Sequence, residues 1–305
     1  MTFKVMLTGA SGLLGQTLSM LKPEHIVLQA YTKQQLDITQ AQLVKEAVQA
    51  CKPDVIINAA AYTQVDKVES ESKKAYAVNR DGALYIAQSA AVLGIPLLHI
   101  STDYVFDGIF PDGICRPYTE IDEPNPLNEY GASKLAGERA IQGVHRQAVI
   151  VRSSSLFSSQ YCSEQKNAGG KQDFFSWVLS QGQREEKLKV LDSWVSCPTP
   201  VKNLALVLWQ LAERAAQHDE PVYRLWHYAG TSAMSRYEWA KEIVDIAKQV
   251  GLLKHDVEVQ PCLPEAVVTQ AKRPLYSVLD CRRLHSDLGI ELKGWHEAVG
   301  LKGFV

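Results

Sequence analysis

The sequence has few cysteines, and they form no pattern. Its 305 residues include six of them, scattered without a Cys-x-x-Cys pair and without a matching histidine spacing. A disulfide framework and a zinc site are therefore not expected, and free thiols in a reducing compartment are the simple interpretation. The six residues are Cys51, Cys115, Cys162, Cys197, Cys262 and Cys281.

Long apolar runs, a targeting segment and an excess of one charge are also lacking. No run approaches the roughly 18 to 20 apolar residues that cross a bilayer. The first predicted strand begins at Phe3, without a cationic leader or a cleavage site. The formal net charge is -2, and the basic residues are spread along the chain. We therefore expect a cytoplasmic protein whose partners include neither nucleic acid nor a membrane.

The first half of the sequence contains a regular alternation of short apolar runs and helical patterns. The apolar runs predict buried strands at Phe3–Thr8, Ile26–Tyr31, Val55–Asn58, Leu97–Ser101 and Val149–Arg152. The intervening patterns predict helices over Gly12–Lys22, Thr39–Cys51, Glu71–Leu93 and Asn128–Ile141. Thr39 and Gln42 could form a capping box at the second helix. Repeated βα units of this kind predict an α/β fold with a doubly wound parallel sheet.

The second half is less regular. Ser158–Lys171 is polar and rich in Gly, Ser and Gln, which fits a mobile loop near the site and equally a disordered surface insertion. Helices are predicted from Val201 to about Ala216 and over Arg236–Val250. With 46% hydrophobic residues, the chain can bury one substantial core and part of a second, so the remainder is expected to form a smaller α/β domain.

A glycine-rich turn follows the first predicted strand. Thr8-Gly9-Ala10-Ser11-Gly12-Leu13-Leu14-Gly15 places three glycines at a spacing of three. Glycine allows a tight strand-to-helix bend and a close approach to a pyrophosphate, which the free N–H groups of the helix then face. The turn therefore predicts a Rossmann-type dinucleotide site, with a structural glycine turn as the alternative.

A tyrosine and a lysine four residues apart form a candidate acid–base pair. In Tyr130-Gly131-Ala132-Ser133-Lys134 both side chains share one helix face. A nearby cation favours phenolate, so Lys134 is predicted to lower the pKa of Tyr130 from about 10 toward the range of general acid–base catalysis. A surface Tyr/Lys pair is the alternative, because the pattern often occurs by chance.

Hydroxyl and carboxylate side chains follow the fourth predicted strand. Because ligands bind at the carboxyl ends of parallel strands, the Thr102 hydroxyl could donate to a substrate carbonyl while Tyr130 supplies the proton. His99 lies inside the apolar run and is expected to be a hydrogen-bonded core histidine. Asp103 and Asp107 fit turn residues, although Asp103 is also a candidate substrate contact.

Together these three features resemble the extended short-chain dehydrogenase/reductase superfamily. Further segments narrow the resemblance to the dTDP-4-dehydrorhamnose reductase family, which the sequence is similar to over essentially its whole length. These segments are Asn58–Glu69, Ala75–Asn79, Ser101–Phe106, Asn128–Gly131, Pro198-Thr199, His227–Gly230, Arg273-Pro274 and Trp295.

The resemblance implies a division into two domains. Residues 1–155 would form the Rossmann domain, to which a segment of about residues 188–218 returns, and residues 156–187 and 219–305 would bind substrate. It also implies that the nucleotide-binding residues include Gly9, Ser11, Gly12, Leu13, Leu14, Asp37, Ile38, Ala61, Tyr62, Thr63, Tyr130 and Lys134. Asn79 is expected to have either a direct role or a structural one.

The end of the second predicted strand bears on the choice of cofactor. NAD-preferring enzymes usually place an acidic residue there, whereas this chain reads Ala30-Tyr31-Thr32-Lys33-Gln34. Lys33 could accept a 2′-phosphate, so NADPH is favoured, with NADH as an alternative because related enzymes often use either cofactor. Magnesium-dependent dimers also occur among similar proteins, so Mg²⁺ and a homodimer stay open, and the sequence assigns no metal ligands.

The reaction implied by the resemblance is reduction of a nucleotide-linked 4-keto-6-deoxy sugar, most simply dTDP-4-dehydro-L-rhamnose. Tyr130 would protonate the developing alkoxide, Lys134 would hold the nicotinamide ribose, and Thr102 would polarise the carbonyl. The family usually carries Arg-Thr-Ser-Trp after the fifth strand, whereas this chain reads Arg152-Ser153-Ser154-Ser155. Ser155 therefore replaces a tryptophan beside the sugar, which predicts a different substrate or another aromatic, such as Phe157 or Trp194, in its place.

Two other functions stay open from the sequence. A nucleotide-sugar epimerase or epimerase-reductase would need an extra acid/base pair, which we cannot assign. A non-catalytic regulatory subunit is the third interpretation, because the β subunit of methionine adenosyltransferase is similar to these reductases.

Overall fold

A six-stranded parallel sheet forms the centre of the larger unit. The computed structural model describes residues 2–110, 113–158, 172–217, 224–263 and 269–298. The strands lie in the order β2-β1-β3-β4-β5-β9, and all neighbouring pairs are parallel. Their bounds are β1 Phe3–Thr8, β2 Ile26–Tyr31, β3 Val55–Asn58, β4 Leu97–Thr102, β5 Ala148–Ser153 and β9 Arg224–His227.

Helices cover both faces of this sheet, because both faces of its strands are apolar. Val5 and Leu7 of β1 point into one core, and Met6 between them points into the other. The first core also takes in α1 and α8, and the second takes in α2, α5 and α6. The helices of this unit are α1 Leu13–Met20, α2 Ala41–Cys51, α3 Val65–Val68, α4 Ser72–Tyr76, α5 Ala83–Val92, α6 Glu129–Val144 and α8 Val201–Gln217.

The predicted strands and helices of the first half are present, with differences at three places. The predicted helix over Glu71–Leu93 is α4 and α5 joined by a π-helical segment, Ala77–Gly82. The strand ending at Ser101 extends to Thr102, which is followed by a 3₁₀ turn over Asp103–Val105. The capping box at α2 is wrong: Gln40 is the N-cap without a side-chain bond, because the Thr39 hydroxyl donates to Asp37 instead.

A second, smaller unit packs around aromatic side chains. Phe157, Phe175, Trp239 and Trp295 are buried together in its core. Its remaining elements are β6 Leu156–Phe157, α7 Phe174–Gly182, β7 Lys187–Leu191, β8 Thr199–Pro200, α9 Arg236–Gln249, β10 Glu258–Cys262 and α11 Trp295–Ala298. Helix α10, Arg282–Leu288, packs against β9 and the core of the larger unit instead. Strand β7 pairs with β10, and β6 with β8.

The structure departs from the expected division of the chain at two places. Strand β9 lies in the six-stranded sheet, although residues 219–305 were assigned to substrate binding. Strand β7 pairs outside that sheet, although it falls in the segment expected to return to it. Helix α8 does return, and it packs against α1. The predicted loop at Ser158–Lys171 lies outside the described residues from 159 onward. None of the described helices is long and apolar enough to span a membrane.

Candidate active site

The glycine turn has the close packing that a phosphate-binding turn needs. Gly9 has φ +78°, and a Cβ on it would lie 2.5 Å from the backbone nitrogen of Ala60. A Cβ on Gly15 would lie 2.2 Å from the Gly9 carbonyl oxygen. Both positions therefore require glycine. Ser11, Gly12, Leu13 and Leu14 carry the backbone from this turn into α1, whose N-terminus has no side-chain cap, so the residues present fit a dinucleotide pyrophosphate.

The end of β2 carries a lysine and no carboxylate. Lys33 is exposed in the loop after Tyr31. Asp37 accepts hydrogen bonds from the backbone N–H and the hydroxyl of Thr39, at 3.0 and 2.8 Å. Ile38 is buried, and a Cβ on Gly82 of the π-helical segment would lie 2.7 Å from it. The structure thus places Lys33, Asp37 and Ile38, three of the predicted cofactor-binding residues, in the segment that follows the edge strand β2.

Asn79 fixes the loop of Ala61, Tyr62 and Thr63 that follows β3. Its side chain accepts from Tyr62 N–H at 2.8 Å, and it donates to the Tyr62 carbonyl at 3.1 Å and to Ser133 Oγ at 2.9 Å. Asn79 lies in the π-helical segment, and Ser133 lies in α6. These contacts favour the structural alternative for Asn79, which joins the loop to the helix that carries Tyr130.

Thr102 and Tyr130 meet at the carboxyl end of β4. Their side chains lie next to each other, and Thr102 favours the ionised form of Tyr130. Thr102 Oγ1 also donates to Asp103 Oδ1 at 3.1 Å and accepts from Tyr104 N–H at 3.2 Å. Helix α6 lies close to this turn because position 131 is glycine: a Cβ there would be 2.0 Å from the Tyr104 carbonyl oxygen.

The acidity of Tyr130 is governed by burial. Burial raises its pKa by more than Thr102 lowers it, and Asp103 and Tyr104 raise it further. The sequence predicted that Lys134 lowers this pKa, and for this structure that prediction is wrong, because the cost of a buried phenolate dominates. Tyr130 is therefore a phenol at neutral pH, the form that can donate a proton.

Lys134 packs against strand β4, and its terminal nitrogen Nζ is buried away from solvent. The residue is 2% exposed, and Nζ donates to the Ile100 carbonyl at 2.6 Å. Nζ also lies 3.2 Å from His99 Nε2. Burial lowers the pKa of Lys134 to about 8, against an opposing effect of Glu138. His99 is a buried, hydrogen-bonded histidine as expected, and its contact with the lysine was not foreseen.

Asp103 is buried, and its position suits a structural role better than contact with a substrate. Its carboxylate accepts hydrogen bonds from Thr102, from Ser154 Oγ at 2.8 Å and from Ser277 Oγ at 2.6 Å. Burial raises its pKa, and these bonds oppose the rise. Both oxygens are thus engaged by protein hydroxyls, and the side chain joins the end of β4 to two distant segments.

Ser155 faces groups that sequence reasoning had not connected to the site. It has φ 44°, and its hydroxyl lies 2.8 Å from Ser196 Oγ and accepts from Arg236 Nη2 at 3.1 Å. Arg236 and Arg273 are both hydrogen-bonded to the Tyr104 side chain. Arg236 directly follows the N-cap of α9, where the helix dipole disfavours a cation. This unfavourable position is the sequence feature that could have identified Arg236 as a functional residue.

An aromatic residue lies near these arginines. Trp194 has φ 60°, and the Arg273 guanidinium lies 5.0 Å from its ring centroid. Arg273 is also paired with Asp66, Nη2 to Oδ2 at 2.7 Å. Phe157, the other candidate to replace the family tryptophan, is buried in the aromatic core instead. Trp194 is therefore the better candidate of the two.

Metal and thiol chemistry receive no support from the described side chains. Within the described ranges, no group of three or more His, Cys, Asp or Glu side chains is placed to hold a metal ion. The cysteines that the structure describes are free, and Cys162 lies outside the described residues.

The fold is that of a short-chain dehydrogenase/reductase. A family model described as RmlD substrate binding domain matches residues 3–302, and the chain belongs to this family. The chain is 34% identical over 298 residues to the dTDP-4-dehydrorhamnose reductase of Aggregatibacter actinomycetemcomitans, covering 97% of both chains. It is 30% identical over 297 residues to the enzyme of the same name from Sinorhizobium fredii, covering 97% of this chain and 95% of the other.

A solved structure gives the same picture at the level of the fold. The dTDP-4-dehydrorhamnose reductase of Bacillus anthracis, crystallised in complex with NADP, superposes with a TM-score of 0.86 at 33% identity. The match covers 100% of this chain and 99% of that one. Membership of the expected family and the Rossmann-type fold are thus confirmed.

Proposed function

We propose that this chain is an NADPH-dependent oxidoreductase that reduces the C4 keto group of dTDP-4-dehydro-L-rhamnose to give dTDP-L-rhamnose. The observation that carries the proposal is the proximity of the Thr102 and Tyr130 side chains at the carboxyl end of β4, with Lys134 buried in the same helix as Tyr130. Family membership and relatives named dTDP-4-dehydrorhamnose reductase supply the substrate.

The side chains divide the work of a carbonyl reduction. NADPH, when bound, supplies the hydride. Tyr130, whose raised pKa keeps it a phenol at neutral pH, donates its proton to the oxygen that becomes an alkoxide. Thr102 directs its hydroxyl at the same oxygen, for which it must turn from Asp103. Lys134 holds the nicotinamide ribose.

NADPH is favoured over NADH by the residues at the end of β2. Lys33 is exposed there, and the NAD-type carboxylate position is not acidic. The glycine turn holds the pyrophosphate, and the loop of Ala61–Thr63, fixed by Asn79, lines the nicotinamide side. The NADP in the Bacillus anthracis relative supports the same choice.

The arginines beside the site fit the anionic part of a nucleotide sugar. Arg236 reaches Ser155, and both Arg236 and Arg273 meet at Tyr104, next to Thr102. Guanidinium groups bind phosphate oxygens in a two-pronged geometry. We therefore assign the diphosphate to these arginines and the sugar to the space between Ser155, Trp194 and Tyr130. The larger unit then binds the cofactor and the smaller one completes the substrate pocket, in a cytoplasmic enzyme.

A turnover screen tests the proposal and separates it from the alternatives. Purified protein is given dTDP-, UDP- and GDP-linked 4-keto-6-deoxy sugars with NADPH or NADH. We expect NADPH oxidation with dTDP-4-dehydro-L-rhamnose and formation of dTDP-L-rhamnose. Epimerised products without net oxidation would indicate an epimerase, and NADPH binding without turnover of any sugar would indicate a regulatory subunit.

A further inference from the structure

A chain of buried side chains runs beneath the sheet end from β1 to Lys134. Thr8 Oγ1 donates to Asn58 Oδ1 at 2.7 Å, and Asn58 Nδ2 lies 3.0 Å from His99 Nδ1. His99 Nε2 lies 3.2 Å from Lys134 Nζ. All four residues are buried, between 0% and 2% exposed. The chain connects three neighbouring strands to α6 and ends on a proposed catalytic residue.

The direction of the hydrogen bonds in this chain is fixed at Asn58. Its Oδ1 accepts from Thr8 Oγ1 and from Ala60 N–H, the latter at 3.1 Å. An amide oxygen accepts and an amide nitrogen only donates, so the NH₂ group of Asn58 must face the histidine. His99 Nδ1 is therefore a hydrogen-bond acceptor and carries no proton.

The proton of the neutral ring then lies on Nε2, on the side of the lysine. Burial, and secondly the charge of Lys134, hold the pKa of His99 well below its usual range, so the ring is neutral. A neutral imidazole with an accepting Nδ1 has its N–H at Nε2. This N–H can donate to the lone pair of an amine at Nζ, whereas an ammonium group has no lone pair and only donates.

We propose that His99 is a positioning residue for the reaction: its Nε2–H holds Lys134 Nζ against the Ile100 carbonyl and disfavours the ammonium form of the lysine. Lys134 therefore exchanges its proton near neutral pH and is not a permanent cation. The lowered pKa of Lys134, about 8, agrees with this account. The structural part stands on the hydrogen-bond geometry, and only the kinetic consequence rests on the proposed function.

Other titratable groups near Lys134 are already engaged. Glu138, one turn further along α6, raises the pKa of Lys134, but it is held by Arg152 of β5 through bonds of 2.7 to 3.2 Å. Asp103 and Tyr104 of the 3₁₀ turn act on Tyr130. The π-helical segment contributes the neutral side chain of Asn79 to α6. Burial is the main cause of the lowered pKa of Lys134, and His99 is the neutral group whose hydrogen bond adds to this effect.

Two substitutions of His99 each keep the contact of only one of the two ring nitrogens. Glutamine in His99→Gln can place an NH₂ donor near the position of Nε2, and so keep the contact with Lys134. Asparagine in His99→Asn reaches only the position of Nδ1, so it keeps the contact with Asn58 and loses the lysine. His145→Asn is the matched control, because His145 is also buried but its Nε2 pairs with the Ile95 carbonyl, away from the site.

The first measurement needs no turnover. The ¹³Cε shift of Lys134 in lysine-labelled protein, assigned by its loss in Lys134→Met, reports the proton directly. We expect a midpoint near 8 in the wild type, His99→Gln and His145→Asn. In His99→Asn this midpoint should rise by about one pH unit or more, which corresponds to a tenfold increase in proton affinity. An unchanged midpoint in His99→Asn, or equal shifts in His99→Gln and His99→Asn, would overturn the proposal.

A second measurement uses the wild type alone and so does not depend on how the variants fold. The ¹⁵N shifts of His99 distinguish a ring protonated at Nε2 from one protonated at Nδ1. The proposal requires the Nε2–H tautomer at pH 9, and the Nδ1–H tautomer would contradict it. The basic limb of kcat/KM should follow the lysine midpoint. Failure of all ketosugar turnover with the expected midpoints intact would reject the proposed function and leave the role of His99 standing.

Discussion

At the scale of single residues, the site separates proton donation from charge. Tyr130 is half-buried and has a raised pKa, so it is a phenol over the working pH range, whereas Lys134 is buried and has a lowered pKa. A reductase needs a proton donor, so a raised tyrosine pKa suits reduction better than the reverse reaction. The spacing predicts that the two side chains share one helix face and act together, and this stays a prediction. Burial, the main cause of both pKa shifts, is a property of the folded chain.

Removal of the Tyr130 hydroxyl tests the proton donor. In Tyr130→Phe we expect kcat to fall by about 10²–10⁴-fold, the usual contribution of general acid catalysis. NADPH affinity should stay near that of the wild type, because the phenol contributes little to cofactor binding. Steady-state kinetics and a fluorescence titration with NADPH measure the two quantities. A purified variant that retains its activity would remove Tyr130 from the mechanism.

Lys33 is predicted to read the 2′-phosphate of NADPH. An exposed charge pair contributes about 1 kcal/mol or less, so Lys33→Ala should reduce the preference for NADPH over NADH by only several-fold. The ratio of kcat/KM for the two cofactors measures this effect, with Lys45→Ala as a control at an exposed lysine of α2. Equal ratios in wild type and Lys33→Ala would show that another residue recognises the phosphate.

At the scale of elements, the strands were easier to predict than the contacts between them. Buried parallel strands appear as short apolar runs, and the five predicted ones agree with the structure to within one residue at each end. The π-helical segment was not predicted, because one wider turn barely alters the apolar period of a helix. Asp103 and Ser277 lie 174 residues apart, and local patterns carry no information about such a contact.

The packing of α6 against the π-helical segment depends on one glycine. A Cβ on Gly137 would lie 2.1 Å from the Asn79 carbonyl oxygen, whereas a Cβ on Gly143 of the same helix meets nothing within 4 Å. Gly137→Ala should therefore destabilise the protein by about 1–3 kcal/mol. Gly143→Ala should stabilise it by about 0.5–1 kcal/mol through helix propensity.

Chemical denaturation of the two variants measures these changes. NADPH affinity should also fall in Gly137→Ala, because Asn79 fixes the loop that contains Tyr62. If both alanine variants had the same stability, the close approach of α6 would not control this contact.

At the scale of the whole molecule, buried histidines make stability depend on pH. His227 at the end of β9 is fully buried, and its Nδ1–H donates to the Tyr118 carbonyl at 3.0 Å. Burial, with help from Arg152, lowers its pKa to about 3. Between this value and the ordinary histidine pKa of about 6.5, the unfolded chain binds a proton that the folded chain does not. Folding is therefore favoured above about pH 6.5 and loses stability as the pH falls below it.

His227→Phe should weaken this acid sensitivity. One neutral buried histidine contributes a slope of about 1.4 kcal/mol per pH unit below its unfolded pKa, so the variant should lose about that much slope between pH 6 and 5. Urea unfolding at several pH values gives the slopes, with His25→Gln at an exposed histidine as the control. Parallel pH profiles for His227→Phe and the wild type would show that the ring is not kept neutral.

The arrangement of the two units was only partly accessible from the sequence. The sequence resemblance predicts which residues bind the cofactor, because the glycine turn and the Tyr-x-x-x-Lys pattern are local motifs. Strand β9 was missed because its few residues, Arg224–His227, form too short a pattern to identify a sixth strand. Arg236 was missed because a charged residue at the start of a helix usually faces solvent. The residues proposed for the substrate side can therefore be recognised only in the folded structure, which brings segments that are distant in sequence together.

In the proposed reaction, hydride passes from NADPH to C4 of a dTDP-linked ketosugar while Tyr130 supplies the proton. The most direct test is turnover of dTDP-4-dehydro-L-rhamnose with NADPH deuterated at the transferable C4 position of nicotinamide, followed by NMR of the product. We expect one deuterium at C4 of dTDP-L-rhamnose for each NADPH oxidised, and almost no deuterated product from Tyr130→Phe. Product without deuterium at C4, or NADPH left unconsumed by the wild type, would contradict the proposed reaction.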